Sequence, residues 1–448
     1  MLRPVIAIVG RPNVGKSTLF NRLVGRRQAL VRDIPGVTRD RLYGRVSFGG
    51  WEATLVDTGG FDPSADQDLV QAVSRQVRAA IEESDLVLFV VDCRAGVTPL
   101  EEEIARILRK SQRPVFVAAN KADGPGQEAL LGEVYRLGFQ QVFAVSAEHG
   151  RGAAELLEAL REAGPGVTSE PGWEGLRVAV VGHPNVGKSS LVNALLGSDR
   201  VLVHAAPGTT RDAVDTPFSF RGRDYVLIDT AGIRRKGRVT TPLEKLAVVM
   251  ALRSLERCQV AILLLDASEG VTAQDAHIGG YAREAGRATV IAVNKWDLVP
   301  RGMVRRAEVV AQIHDRLQFL DHAPVAFTSA VTRLGIEELF DLVDQVAEET
   351  AKRIPPALVA KTLGQAMERR PVSIRGVPLT FHSASQMGVA PPTFAIHVNQ
   401  PDKIHFSYER YLVSSLRQAF GFAGSPVRLF FRRSPTRGTR RAAPRRRR

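Results

Sequence analysis

Cysteine is scarce in this sequence: only Cys93 and Cys258 occur in 448 residues. Two cysteines are too few for a disulfide framework, so both are expected to be reduced thiols in a cytosolic protein. Long apolar runs are also missing. The longest are stretches such as Leu86–Val91, well short of the ~18 residues that a membrane span needs. The stretch Val5–Val9 is too short for the apolar region of a secretory signal, so we expect a cytoplasmic protein without a transmembrane segment.

Acidic residues are outnumbered, and the formal net charge is +14. Nine of the arginines lie between Arg432 and Arg448, so much of the excess is concentrated at one end. A basic segment of this kind favours a polyanionic partner, either nucleic acid or an anionic membrane surface. A solubilising segment without a specific partner is the alternative. The residues from Ser434 onward show no apolar periodicity and are predicted to be disordered.

One octapeptide occurs twice, as GRPNVGKS from Gly10 and as GHPNVGKS from Gly182. The same short motifs follow each copy in the same order: Pro-Gly-Xaa-Thr-Arg-Asp, Asp-Thr-Xaa-Gly, Asn-Lys-Xaa-Asp and Ser-Ala. The copies are 172 residues apart at the octapeptide and at Asp-Thr-Xaa-Gly, and 174 apart at Asn-Lys-Xaa-Asp. A nearly constant offset of domain size indicates two whole domains rather than a short solenoid repeat.

Short apolar segments alternate with helical patterns in both copies, which predicts an α/β fold with a mostly parallel sheet and helices on both faces. After about residue 351 the pattern changes to a smaller α+β unit. The predicted organisation is a first domain over 1–165, a linker over 166–175, a second domain over 176–350, a third over 351–433 and a basic tail over 434–448.

Each octapeptide follows a predicted strand and precedes a predicted helix, as in a phosphate-binding loop. Its glycines allow backbone N–H groups to face phosphate oxygens at a helix N-terminus. Lys16 and Lys188 are expected to neutralise the β- and γ-phosphates during catalysis, and Ser17 and Ser189 to bind Mg²⁺. His183 replaces the arginine of the first loop, and we expect it to point outward. The predicted nucleotide contacts are Gly10, Arg11, Pro12, Asn13, Val14, Gly15, Lys16 and Ser17, then Gly182, His183, Pro184, Asn185, Val186, Gly187, Lys188 and Ser189.

Two further motifs are expected at the γ-phosphate. Asp57 and Asp229 end predicted strands, where their carboxylates face the Mg²⁺ shell. Thr38 and Thr210, which are also candidate catalytic residues, lie in polar loops that close on Mg²⁺ when a γ-phosphate is present. The nucleotide contacts predicted from the Asp-Thr-Xaa-Gly motifs and the residue after each are Asp57, Thr58, Gly59, Gly60 and Phe61, and Asp229, Thr230, Ala231, Gly232 and Ile233. Phe61 and Ile233 cannot orient water, so hydrolysis needs another source of help, for which Asn13 and Asn185 are the candidate catalytic residues.

The Asn-Lys-Xaa-Asp motifs predict selection of guanine. Asp123 and Asp297 can each accept two hydrogen bonds from the ring N–H and the amine of guanine, whereas adenine would leave the carboxylate unpaired. The predicted base contacts are Asn120, Lys121, Ala122, Asp123, Ser146 and Ala147, and Asn294, Lys295, Trp296, Asp297, Ser329 and Ala330. Together the motifs indicate a protein that binds GTP and GDP and hydrolyses GTP. The alternative, a binding protein with purely structural nucleotide sites, conflicts with the intact Lys, Ser and Thr positions.

With these motifs in tandem, the sequence resembles the Der (EngA) family of bacterial GTPases with two G domains. The stretches Ile233–Gly237, Pro391–Phe394 and Ala419–Phe422 support the resemblance. It implies a KH-like third domain and a role in maturing the large ribosomal subunit by binding its rRNA. It also implies that Asn13 and Asn185 help bind K⁺.

One competing function remains beside the function that the resemblance implies. A membrane-surface GTPase that uses the basic tail is the competing hypothesis, disfavoured because no amphipathic segment accompanies the tail. We also expect a monomer.

Within the third domain, Gly421–Gly424 formally matches the KH nucleic-acid loop, but its position after a predicted helix favours a helix C-cap.

Overall fold

A computed structural model of the chain separates into two compact units, Met1–Glu174 with Arg234–Arg257, and Gly175–Ile233 with Cys258–Arg448. The structure describes residues 4–25, 43–57, 73–74, 77–78, 80–81, 84–124, 131–164, 174–197, 201–203, 215–229, 244–300, 305–374, 376–401 and 404–433. Across these ranges no helix has the length and apolar character of a membrane span.

The first unit is built on a six-stranded sheet. Its strands are β1 Val5–Val9, β2 Tyr43–Phe48, β3 Trp51–Asp57, β4 Leu86–Asp92, β5 Val115–Asn120 and β6 Val142–Ala144. They lie in the order β2-β3-β1-β4-β5-β6, and only β2 is antiparallel to its neighbour. The described helices of this unit are Lys16–Val24, Pro99–Arg109, Leu131–Tyr135, Ala153–Ala163 and Glu244–Arg257.

Both faces of the first sheet are covered, which explains why β1 is apolar throughout. Ile8 packs into the same buried cluster as Leu19 and Leu156. The next residue along the strand, Val9, points to the opposite face and shares a cluster with Ile104. Adjacent strand residues alternate between faces, so a strand covered on both sides needs no polar positions.

The second unit repeats this architecture with an extended edge. Its strands are β7 Leu176–Val181, β8 Val201–Val203, β9 Thr216–Phe220, β10 Arg223–Leu227, β11 Val260–Asp266, β12 Ala288–Asn294 and β13 Val325–Phe327. The order is β13-β12-β11-β7-β10-β9-β8, with antiparallel pairing only at β10-β9 and β9-β8. The helices are Lys188–Leu196, Ala273–Glu284, Arg306–Arg316 and Ile336–Ala351, with 3₁₀ turns at Trp296–Leu298 and Gln318–Leu320.

The same unit continues into a small α+β domain. Its elements are the helix Pro356–Arg369, β14 Ser373–Ile374, β15 Val377–Pro378, β16 Phe381–Gly388, β17 Thr393–Val398, the helix Phe406–Phe420 and β18 Arg428–Arg433. Strand β17 is antiparallel to β16 and parallel to β18. Leu363, Phe394 and Leu412, all fully buried, form its core. The predicted tandem α/β domains and the α+β third domain are therefore confirmed.

The Gly421–Gly424 segment ends a helix, as predicted. Gly421 is its C-cap with φ 90°, and its N–H donates to Arg417 O at 2.9 Å. Gly424 donates to His322 O and accepts from Thr289 N–H, both at 2.7 Å. Both backbone groups of Gly424 are thus used in contacts inside the second unit, and the tail over 434–448 lies outside the described residues.

Candidate functional site

The register of the first sheet brings the carboxyl ends of four strands to one edge. Ile8 is paired with Asp57, and Asp92 with Asn120. The loop Gly10–Ser17 leaves β1 at this edge, which is where open α/β sheets bind ligands. In the second sheet the same alignment pairs Asp266 with Asn294.

The two phosphate-binding loops have the same backbone conformation. Asn13 and Asn185 are left-handed at φ 64° and 67°, and Gly15 and Gly187 follow at φ 91° and 98° as the residues preceding each helix. A Cβ at Gly15 would collide with the side-chain amide of Asn120. Only glycine therefore permits both the turn and the close approach of Asn120.

The lysines of the loops point back over the loop backbone. Lys16 Nζ donates to Gly10 O at 2.9 Å and to Arg11 O at 2.6 Å. Lys188 Nζ donates to Gly182 O at 2.8 Å and to His183 O at 2.7 Å. Burial lowers the pKa of Lys16 from 10.5 to about 8, although the negative charge of Asp57 opposes the shift.

Asn120 and Asn294 fasten the phosphate-binding loop to the Ser-Ala loop. Asn120 donates to Val14 O at 2.8 Å and accepts from Ala147 N–H at 3.0 Å. Asn294 donates to Val186 O at 2.9 Å and accepts from the N–H of Ala330 at 3.3 Å. The first residue of the Asn-Lys-Xaa-Asp motif is therefore an organising residue, buried in both copies.

The lysine of the same motif is held by an aspartate that the sequence analysis did not identify. Lys121 Nζ pairs with Asp92 at 2.6 Å and also donates to Asn13 O at 3.2 Å. Lys295 Nζ pairs with Asp266 at 2.5 Å. Burial acts to raise the pKa of Asp92, but hydrogen bonds from Lys121 and from a backbone N–H outweigh it and lower the pKa.

The proposed guanine-selecting carboxylates have different surroundings. Ser146 Oγ donates to Asp123 at 2.6 Å, and Arg94 forms an ion pair with the same carboxylate. Asp297 is exposed on the 3₁₀ turn after β12. Its neighbour Trp296 packs on Phe327 with ring centroids 4.5 Å apart, where the first copy has the buried Ala122.

Asp57 ends β3 and is buried, in agreement with the sequence prediction. Asp229 differs, because β10 ends at Leu227 and Asp229 follows in a left-handed turn with φ 60°. Its N–H donates to Asp215 at 3.0 Å. Ser17 and Ser189 lie in the first turns of their helices. Ten predicted residues fall outside the described part of the chain: Thr38, Thr58, Gly59, Gly60, Phe61, Thr210, Thr230, Ala231, Gly232 and Ile233.

The expectation that His183 points outward is wrong. The residue is 7% exposed, and its Nδ1 lies 2.9 Å from Oδ1 of Asp275. The hydrogen bond to Asp275 raises the pKa of His183, with burial opposing and the charges of Asp275 and Glu269 assisting. At the equivalent position of the first copy, Arg11 Nε donates to Glu101 at 2.9 Å. Sequence reasoning missed both acids.

Comparison with known proteins places these two sites in a family context. A sequence family described as 50S ribosome-binding GTPase matches residues 5–121 and again 177–295. A second, described as the C-terminal KH-domain-like region of EngA bacterial GTPase enzymes, matches residues 353–432.

Full-length relatives match almost the whole chain. GTPase Der of Geotalea daltonii is 47% identical over 433 residues, which cover 96% of this chain and 98% of that protein. GTPase Der of Moorella thermoacetica is 47% identical over 434 residues, covering 97% of this chain and 99% of that protein. Among solved structures, Era in complex with MgGDPNP and a 16S ribosomal RNA segment is 21% identical, covers 57% of this chain and 88% of its own, and has a TM-score of 0.32.

Proposed function

This chain belongs to the GTPase Der family and is a GTPase, and from that premise we propose that it is a nucleotide switch in assembly of the large ribosomal subunit. In this proposal the GTP-bound chain binds rRNA in the cytoplasm and hydrolysis changes that binding. The observation that carries the proposal is the match of residues 5–121 and 177–295 to a family described by its binding to the 50S ribosome.

The nucleotide sites are assigned to the two loop clusters described above. Lys16 and Lys188 bind the β- and γ-phosphates, and Asp123 and Asp297 select guanine. Burial favours loss of the Lys16 proton, as its pKa of about 8 indicates. The side chain is still mostly charged at neutral pH, and a triphosphate beside the ammonium group would stabilise that charged form further.

Mg²⁺ is the proposed cofactor of both sites. The residues fit a hard cation because its preferred ligands are oxygens, which Ser17 and Ser189 offer as hydroxyls and Asp57 and Asp229 as carboxylates. Asp57 lies near enough to the phosphate-binding loop to influence the pKa of Lys16. When bound, Mg²⁺ neutralises phosphate charge. Thr38 and Thr210 are proposed from sequence as further ligands.

A second, monovalent cation is proposed beside the loops. Asn13 and Asn185 are exposed near the start of each loop and offer carboxamide oxygens, which fit K⁺ as neutral donors. K⁺ would supply positive charge to the developing charge of the transition state. The assignment rests on the family resemblance and on the need for a substitute for a water-orienting glutamine.

Binding to RNA is proposed for the third domain and the basic tail. Strand β18 ends in the exposed Arg432 and Arg433, next to Phe430, which is 50% exposed. Arginines bind phosphates without reading sequence, and exposed aromatic rings can stack on bases. The strand leads directly into the remaining seven arginines.

Co-sedimentation with purified ribosomal subunits tests the proposal. The full chain is incubated with 50S or 30S subunits in GDP, GTP or a non-hydrolysable GTP analogue. We expect retention on the 50S subunit with the analogue and release with GDP. Equal retention in all nucleotide states, or preference for anionic liposomes in a parallel flotation assay, would contradict it. A chain lacking residues 434–448 should show a shallower dependence of binding on salt concentration.

A further inference from the structure

The two phosphate-binding loops share a contact that the nucleotide chemistry does not require. In each copy the second residue of the loop, Arg11 or His183, meets a fully buried acid, Glu101 or Asp275. The donor–acceptor distance is 2.9 Å in both. The two acids are 174 residues apart, the same offset as the Asn-Lys-Xaa-Asp motifs.

Each acid also caps a helix. Glu101 Oε2 accepts the N–H of Thr98 at 2.8 Å and its hydroxyl at 2.9 Å at the start of Pro99–Arg109. Asp275 Oδ2 accepts the N–H of Thr272 at 3.0 Å and its hydroxyl at 2.7 Å. In both cases the other carboxylate oxygen faces the phosphate-binding loop. One carboxylate therefore joins a helix cap to the loop.

The backbone of the same loop residue also contacts the phosphate-binding lysine. The carbonyl of Arg11 accepts a hydrogen bond from Lys16, and that of His183 from Lys188. The acid fixes the side chain of the residue whose backbone orients the lysine. Loss of the acid would leave a half-buried guanidinium or a buried imidazole without this acceptor and would free the start of the loop.

The two copies use different residue pairs for this contact. A long side chain meets glutamate in the first copy, and the pair in the second is histidine with aspartate. Both members have changed while the separation of 2.9 Å is the same. A helix cap would need only the acid. Because the loop residue and the acid both differ between the copies and the hydrogen bond between them is still present, we infer that this hydrogen bond is what the two copies share.

We propose that Glu101 and Asp275 are positioning residues that hold the two phosphate-binding loops ready for nucleotide through Arg11 and His183. The proposal rests on the assignment of these loops as the GTP sites. The acids touch neither phosphate nor base, and they act through the loop geometry. Their loss should raise KM, because the start of the loop is no longer held for nucleotide, and should lower kcat far less than loss of the lysine itself, because the lysine remains in the site.

The test measures fluorescent GTP binding and GTPase kinetics of the first site, in the full chain carrying Lys188→Ala to silence the second. We expect Glu101→Leu, which removes both acceptor oxygens, and Arg11→Ala each to weaken affinity roughly tenfold, as for loss of a hydrogen bond to a charged group. The double variant should be no weaker than the worse single one, because both changes remove the same contact.

Two controls separate positioning from helix capping. Thr98→Val removes the capping hydroxyl but keeps the Glu101–Arg11 pair, so it should lower the melting temperature without changing affinity. Glu102→Gln alters an exposed acid of the same helix and should change neither. If Thr98→Val weakens affinity as much as Glu101→Leu, the acid acts only as a cap and the proposal fails.

Exchange of the pair is the rescue experiment. Arg11→His alone should lose affinity, and the combination Arg11→His with Glu101→Asp should recover it to within about threefold, since this pair operates in the second copy. Failure of the exchange to recover affinity would overturn the proposal. Lys16→Ala in the same background checks the site itself. If that change leaves affinity intact, the assignment of the GTP site is wrong rather than the role of Glu101.

Discussion

Replacing Asn120 with alanine should separate the loops that the first nucleotide site needs together. The side chain is 2% exposed, donates to Val14 O at 2.8 Å and accepts from Ala147 N–H at 3.0 Å. Truncation leaves that carbonyl and that N–H without partners. A buried polar group that loses its partner costs about 1–3 kcal/mol. If nucleotide binding has to bring the two separated loops back together and bears the cost of one such unpaired group, affinity should fall by about tenfold or more.

The assay is titration with a fluorescent GTP analogue in the full chain carrying Lys188→Ala. Asn21→Ala is the matched control, because Asn21 is an exposed asparagine of the first helix and its loss should have no effect. Asn294→Ala, measured with Lys16→Ala instead, should cost less, because its bond to Ala330 is longer at 3.3 Å. An affinity of Asn120→Ala within twofold of the parent would refute the reasoning.

Three further predictions concern the base, the cation and pH. Asp123→Asn and Asp297→Asn should each shift one site from guanosine toward xanthosine nucleotides, measured by competition binding, and unchanged selectivity would disprove the assignment. GTPase rate should rise when K⁺ replaces Na⁺ at constant ionic strength, and Asn13→Ala with Asn185→Ala should abolish most of that rise. Burial lowers the pKa of His322 from 6.5 to about 4. Since only the unfolded chain takes up the proton in this window, stability should fall by roughly 3 kcal/mol as pH drops from 6.5 to 4. His322→Gln should flatten this loss in acid unfolding curves.

Sequence patterns predicted the parts of the fold that are local. The parallel strands were predictable because a strand covered on both faces is a continuous apolar run, as in Leu86–Asp92. The antiparallel edge strands β2, β8 and β9 were not predicted, since they are short or carry polar residues. The helix Pro356–Arg369 was missed as well. Its role depends on packing against β16 and the helix Phe406–Phe420, which no local pattern records.

In the candidate site, too, sequence patterns identified residues of local motifs and missed residues whose partners are distant in the chain. Motif residues such as Lys16 and Asn120 were identified because their spacing is fixed by one loop or one strand end. Glu101 and Asp92 were not, because their partners are 90 and 29 residues away and meet only in the folded sheet. A sequence signal for Glu101 did exist: Thr98 and Glu101 form a capping-box pattern that recurs at Thr272 and Asp275. The burial of His183 was missed because its partner Asp275 is 92 residues away and meets it only in the folded domain.

The number of GTP molecules bound by one chain tests the account most directly, because its central claim is that both copies of the site bind nucleotide. Equilibrium binding of the full chain should give two GTP per chain. Lys16→Ala and Lys188→Ala should each give one, and the double variant none. A stoichiometry of one for the parent chain, or binding that persists in the double variant, would contradict the account.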